Sequence, residues 1–165
     1  MLCMEPSIWH VYIHHQHIRR QNIPSPVVIS SSTFFFPPHT DNLADWDGGV
    51  ACFSAMSRSS LSLVDSSFAN NRAGWSGGIV ASESSLDAFL VSVLNSNLTA
   101  NQATRYGGVM YGTSGAYNVS ITNSTVADNF AARSGGVVYL NNAVSSSVVS
   151  TGATFIGNSA QVFTC

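Results

Sequence analysis

An asparagine recurs five times in this chain at nearly constant spacing. Asn42, Asn71, Asn101, Asn129 and Asn158 lie 29, 30, 28 and 29 residues apart. Each is followed two residues later by an alanine: Ala44, Ala73, Ala103, Ala131 and Ala160. Six residues after the first four asparagines stands a glycine pair with a β-branched residue: Gly48-Gly49-Val50, Gly77-Gly78-Ile79, Gly107-Gly108-Val109 and Gly135-Gly136-Val137. A box of the form N-x-A-x-x-x-G-G-[VI], returning at this period, marks a fold built by stacking one unit on the next.

Each unit carries two clear strand patterns. One follows the glycines: Val50–Phe53, Ile79–Ala81, Val109–Tyr111 and Val137–Leu140. The other precedes the asparagine and alternates apolar with polar: Leu61–Val64, Leu90–Leu94, Tyr117–Ile121 and Ser147–Ser150. A shorter third strand is predicted at Ser67-Phe68, Asn97-Leu98, Thr125-Val126 and Thr154-Phe155. No helical period competes between Asp41 and Ala160, where serine, β-branched residues and glycine dominate. Three short strands and three turns per unit describe one coil of a parallel β-helix, and five coils stacked at the strand spacing rise roughly 24 Å.

Stacking explains the recurrence. Equivalent residues lie above one another, so a buried asparagine at a turn bonds through its amide to the next one along the axis. The glycines supply a positive φ or a close approach of backbones that a Cβ would block. The first coil is predicted to begin at Val27–Phe34, which matches Val148–Phe155, with about five extra residues, Pro37-Pro38 among them, bulging before Asn42. Residues 1–24 fit no repeat and read as an irregular segment that caps the first coil. Residues 25–165 form the repeat domain. Its fifth unit reaches Thr164-Cys165 where the glycine pair is due, so the chain reads as a piece of a longer protein.

Composition narrows the function. Only 8% of the residues are charged and the net charge is -2, which offers nucleic acid no basic field. No apolar run reaches the ~20 residues of a membrane span. Cys3, Cys52 and Cys165 are odd in number and widely spaced, unlike a disulfide framework or a zinc site. No cofactor is implied.

An apolar residue stands three before the asparagine in Phe68-Ala69-Asn70-Asn71, Leu98-Thr99-Ala100-Asn101, Val126-Ala127-Asp128-Asn129 and Phe155-Ile156-Gly157-Asn158. Together with Gly-Gly-[VI], this resembles the FxxN and GGAI repeats of the chlamydial polymorphic outer membrane proteins, over residues 25–163. The chain departs from that pattern in having Val or Ile where the family has the Ala of GGAI, and Leu98 and Val126 where it has Phe. The resemblance implies an all-β, pectin-lyase-like, right-handed parallel β-helix of about four to five coils, 28–30 residues each. It further implies exposure at the cell surface and a part in adhesion. The translocator barrel of the bacterial members has no counterpart here.

Four groups of residues are candidates for chemistry. Two before each glycine pair the column reads Trp46, Trp75, Arg105, Arg133, with Tyr106 adjacent. Stacked aromatic and guanidinium groups serve either as a structural ladder or, where exposed, as a platform for sugar rings. Asp41, Asp45 and Asp47 crowd the turn before the first glycine pair and are the candidate ligands of a calcium ion, unless they are simply solvated. His10, His14, His15 and His17 are a candidate metal cluster, although Trp9–His14 also alternates like a capping strand. Three sequons, at Asn97, Asn118 and Asn123, are acceptors for N-glycans in a eukaryotic source.

Two functions are then in play. The first is a non-enzymatic surface or secreted β-helix segment, adhesin-like or structural, with a polysaccharide or cell-surface glycan and the flanking coils of a longer chain as partners. The second is a carbohydrate-active β-helix enzyme or its inactive remnant, with Arg58 or Arg72 in place of the absent lysine. Convergence of three or more carboxylates beside an arginine would favour the second.

Overall fold

With one exception, every strand pairing is parallel and joins residues 28–30 positions apart, for example Phe89 with Ser59 and Ala88 with Ala116. A chain meets that condition by winding, each coil laid on the one before, and the result is an all-β parallel solenoid of about four turns. The computed structural model describes residues 3–4, 32–35, 39–54, 59–83 and 88–161. The exception is the strand Cys3–Met4, which pairs with Cys52-Phe53 and extends a sheet within the segment expected to be irregular. The histidine cluster, Arg58 and Pro37-Pro38 lie outside the described residues.

Each coil contributes to four strand positions, one more than expected. The sheet after the glycines holds Ala51–Ser54, Val80–Glu83 and Val138–Ala143; the sheet before the next turn holds Ser32–Phe35, Ser59–Val64, Ala88–Leu94 and Ser147–Thr151. The strand Met110–Thr122 runs unbroken through both and joins them. The short third strands occupy Ser67–Ala69, Asn97–Thr99, Thr125–Ala127 and Thr154–Ile156. The unexpected fourth position is two residues long: Leu43–Ala44, Arg72–Ala73, Gln102–Ala103, Phe130–Ala131 and Ser159–Ala160. It forms because the residue after each asparagine donates its N–H to the asparagine carbonyl one coil back, as in Arg72 to Asn42 at 2.8 Å and Phe130 to Asn101 at 2.9 Å.

The asparagines line the inside of that turn. Nδ2 of Asn42, Asn71, Asn101 and Asn129 donates to Oδ1 of the next asparagine at 2.8, 2.9, 2.9 and 2.8 Å. The same four Oδ1 atoms accept backbone N–H groups at 2.9–3.2 Å. The remaining Nδ2 proton of Asn101 goes back to the Phe68 carbonyl, and that of Asn129 to Leu98. Asn71, Asn101 and Asn129 are wholly buried, so the satisfaction of every amide position matters. A second ladder, unnoticed in the sequence, runs five residues upstream. Ser66 N–H donates to Ser96 Oγ at 3.1 Å and Ser96 N–H to Ser124 Oγ at 3.0 Å, while each hydroxyl donates to the carbonyl two residues before it.

The core fills the tube between these ladders. Leu61 and Leu63, Val91 and Val93, Val119 and Ile121 point inward by strict alternation, facing Phe68, Leu98 and Val126. Phe53, Phe89 and Tyr117 pack along the axis with ring centroids 5.1 and 6.3 Å apart, the first pair tilted and the second edge-on. Tyr117 fits because Gly112 leaves room: a Cβ there would come within 2.8 Å of the tyrosine ring. In the last described coil, Val148 and Phe155, partners of Val119 and Val126, are about half exposed (53% and 45%).

The first coil is in a different register from the one expected. Phe34 pairs with Leu63, not with the Phe68 column, and His39 stands beside Phe68. Both offsets are 29 residues, so no five-residue bulge enters before Asn42. The run of valine and serine around residues 27–33 matched the later coil by composition and not by phase.

Turn residues carry some stored cost. Asp41, Asn70, Ala100, Asp128 and Gly157 share one column, all with φ between 54° and 61°. Asn, Asp and Gly tolerate this left-handed region, whereas Ala100 pays about 1 kcal/mol for its Cβ. Replacing Ala100 with Asn is therefore expected to raise stability by about that amount in urea unfolding; a loss would show that the column is not conformationally equivalent.

Candidate functional site

The glycine turns bring one face of the solenoid together. At each turn the residue two before the glycines is bonded through its backbone to the one below: Trp75 N–H to Trp46, Arg105 to Trp75 and Arg133 to Arg105, at 2.7, 2.7 and 2.8 Å. The side chains follow. The Trp46 and Trp75 rings lie 5.0 Å apart at 47°, and the Arg105 guanidinium carbon sits 3.6 Å from the Trp75 centroid. The fourth member turns away, its Arg133 guanidinium carbon 6.0 Å from the ring of Tyr106 and Nη1 donating to the Tyr106 hydroxyl at 3.5 Å. Trp46 and Trp75 remain 47% and 38% exposed, a large apolar area for a surface turn.

Beside this column the outer face of the adjoining sheet carries groups that the sequence reading passed over. Met110 and Glu83 sit on strands whose alternate residues face inward, so Tyr111, Tyr139 and Glu83 face outward. Tyr111 and Tyr139 are register partners with rings 6.2 Å apart and only 5° from parallel. Tyr106 lies against them, 4.6 Å from Tyr139 and 6.2 Å from Tyr111. Their meeting with Tyr106 depends on the turn folding back across the sheet.

The same fold-back seats an acid pair. Asp47 is buried, with Oδ1 accepting the Ser76 N–H at 2.8 Å, and its carboxyl is in hydrogen-bond contact with Glu83. Burial, followed by the charge of Asp47 and the hydrogen bond to it, pushes the Glu83 carboxyl above its ordinary value of 4.5. Burial also raises the Tyr111 phenol, with the charges of Asp47 and Glu83 adding to it and hydrogen bonds to Thr113 and Asn141 opposing, so it stays protonated. These groups and the Trp75–Arg105 stack line an open groove of about 320 Å³.

The sign of the Glu83 shift gives a pH effect. The folded protein holds this proton at pH values where the unfolded chain has released it, so stability is greatest below pH 4.5 and falls as pH rises through the folded pKa. Glu83→Gln keeps a hydrogen-bond donor toward Asp47 and removes the fall. We expect the variant to melt higher than the parent at neutral pH, with the difference closing below pH 4.5; equal melting at both would mean the two carboxyls do not interact.

The calcium candidate is not assembled. Asp47 turns inward to Ser76, while Asp41 and Asp45 are exposed, and no three His, Cys, Asp or Glu side chains converge to hold a metal among the described residues. Among the described residues, three carboxylates are therefore not gathered beside an arginine. The three sequon asparagines, Asn97, Asn118 and Asn123, are all exposed, with Asn118 Oδ1 accepting the Ser147 hydroxyl at 2.9 Å. No helix among the described residues is long and apolar enough to cross a membrane.

Chemically, the groove offers flat aromatic faces, an arginine held against one of them, and carboxyl and phenol groups that bond hydroxyls. No protein-family model, curated protein or solved structure matches this chain.

Proposed function

We propose that this chain is a non-enzymatic β-helix segment, carried at a cell surface or secreted, that binds glycan through the groove beside its glycine turns. The observation that carries this reading is the exposed Trp46–Trp75 pair with Arg105 stacked on it, at the rim of an open groove with polar groups on its floor. Aromatic faces bind the C–H face of a pyranose, and a few polar groups fix its hydroxyls. The N-x-A and Gly-Gly-[VI] boxes, the resemblance to polymorphic outer membrane repeats, the scarcity of charge and the exposed sequons support an extracellular, adhesin-like setting. The test is a polysaccharide pull-down or glycan array with the double variant Trp46→Ala/Trp75→Ala. Loss of at least about tenfold in affinity, with little change in melting, is the expected result, in keeping with aromatic anchors worth more than 1 kcal/mol. Binding that survives the double variant would reject the groove as the site.

One observation favours a carbohydrate-active enzyme instead: a carboxyl held above its ordinary pKa in a cleft is the usual form of a general acid. Against it, two carboxyls in hydrogen-bond contact are closer than the separations of about 5–5.5 or 6.5–9.5 Å used in glycoside hydrolysis. Reducing-end release from polysaccharide, abolished by Glu83→Gln, would establish this second reading.

A further inference from the structure

Among the described residues, the acid pair in the groove has no ion pair with an arginine. Asp47 is buried, Glu83 bonds to it, and both line the same open groove as Arg105. Arg105 is committed elsewhere, its guanidinium carbon 3.6 Å from the Trp75 ring centroid. Arg133, the next cation along the column, sits by Tyr106 and bonds its hydroxyl. A guanidinium close to Glu83 would lower its pKa, yet among the described residues burial and Asp47 act on that carboxyl, and both raise it. The groove thus joins sugar-sized aromatic faces to a floor of two carboxyls that no described arginine neutralises.

We propose that the glycan taken by this groove carries protonated amines: an amino-sugar polymer, its ring faces on Trp46 and Trp75 and an ammonium group against the Asp47–Glu83 pair. This rests on the glycan-binding reading and narrows it. An ammonium beside both carboxyls forms charge-assisted hydrogen bonds and relieves their mutual repulsion. A uronic acid brings a third carboxylate to the two already there. An N-acetylated sugar has the same ring but no charge, and leaves the pair as it is.

Calorimetric titration of the full chain distinguishes these classes. The probes are oligomers of equal length of glucosamine, N-acetylglucosamine, glucose and galacturonic acid, at a pH where the amine is protonated. The glucosamine oligomer is expected to bind about tenfold or more tightly than its N-acetylated form, as one charge-assisted contact provides. Glu83→Gln is expected to bring that ratio close to one. Asp45→Asn, which removes an exposed acid outside the groove, is expected to leave the ratio as in the parent. Equal affinity for the two forms, a preference for galacturonate, a ratio that survives Glu83→Gln, or one that Asp45→Asn also removes would overturn the amino-sugar assignment. Binding of the neutral oligomers that depends on Trp46 would then still uphold the broader glycan reading. Failure of every oligomer to bind, or binding indifferent to Trp46→Ala and Trp75→Ala, would overturn both.

Discussion

Asn101→Ala is expected to cost on the order of 4 kcal/mol, enough to unfold much of a domain whose whole stability is about 5–15 kcal/mol. The side chain occupies four hydrogen bonds in a dry interior. Its Oδ1 accepts the Asn71 N–H and Nδ2, and its Nδ2 donates to the Phe68 carbonyl and to Asn129 Oδ1. Alanine removes the acceptor that serves two donors of buried Asn71 and one of the bonds to the Phe68 carbonyl, and a buried polar group that loses its bond costs about 1–3 kcal/mol. Asn158 is the contrasting case. It makes the same kind of bonds but is only partly buried, so water replaces what Asn158→Ala removes and the loss is about 1–2 kcal/mol. Asn101→Asp separates hydrogen bonding from shape. The carboxylate keeps the acceptor for Asn71 but turns its second oxygen toward two other acceptors, and it buries a charge. Burial raises the pKa of that aspartate in the folded state, so the variant should be less stable than Asn101→Ala at neutral pH and regain stability as pH falls. Urea unfolding of the three variants across pH checks this; equal losses at 101 and 158 would show that the amides contribute independently of burial.

The ladder was legible because it depends only on phase. Residues at a fixed period of a stacked fold must coincide in space, whatever the route of the chain between them. The alternating strands were legible for the same reason, since Leu61, Val91 and Val119 keep their phase across three coils. The serine ladder at Ser66, Ser96 and Ser124 was equally periodic, yet serine is so common in this chain that its recurrence did not stand out. The first coil was not legible in this way, because residue types around Phe34 and Phe155 match while their phases do not, the backbone pairing Phe34 with Leu63.

The groove needed information of another kind. Asp47 and Glu83 are 36 residues apart, which is not a multiple of the repeat, and their columns differ: Glu83 lines up with Ser54, Thr113 and Asn141. What unites them is the path of the turn across the outer face of the sheet, a property of the coil's cross-section that periodicity does not carry. Conversely, Asp41, Asp45 and Asp47 are neighbours in sequence and read as one cluster, but the turn sends Asp47 inward and leaves the other two in solvent. The tryptophan–arginine column was found from the sequence because it is a column. Its last member leaves the stack, the Arg133 guanidinium bonding the Tyr106 hydroxyl instead.

Gly108→Ala is expected to be at least as damaging as any change in the core, with a loss above about 4 kcal/mol or no folded protein at all. Overpacking in a core commonly costs about 1–3 kcal/mol, because side chains shift to admit the new atoms. Here there is no side chain to shift. A Cβ on Gly108 would land on the carbonyl oxygen of Gly136 in the next coil and 2.9 Å from both the nitrogen and the oxygen of Phe130. Relief requires the two coils to part, and with them the bonds from Gly107 to Ser134, Gly108 to Gly135 and Val109 to Val137, each 3.0 Å long. Gly152→Ala supplies the comparison. That glycine, unlike Gly108, has a positive φ, 61°, but is exposed, and its Cβ would meet chiefly the movable Asn123 amide oxygen. Its cost should be about 1 kcal/mol, the conformational term alone. Thermal unfolding of the two variants decides the matter, and near-equal losses would mean that the close approach of coils at Gly108 costs no more than a strained turn. The groove depends on the answer. Trp46, Trp75 and Arg105 stack only while the glycine turns hold adjacent coils at contact distance, so a coil forced apart at Gly108 should lose its ligand along with its fold.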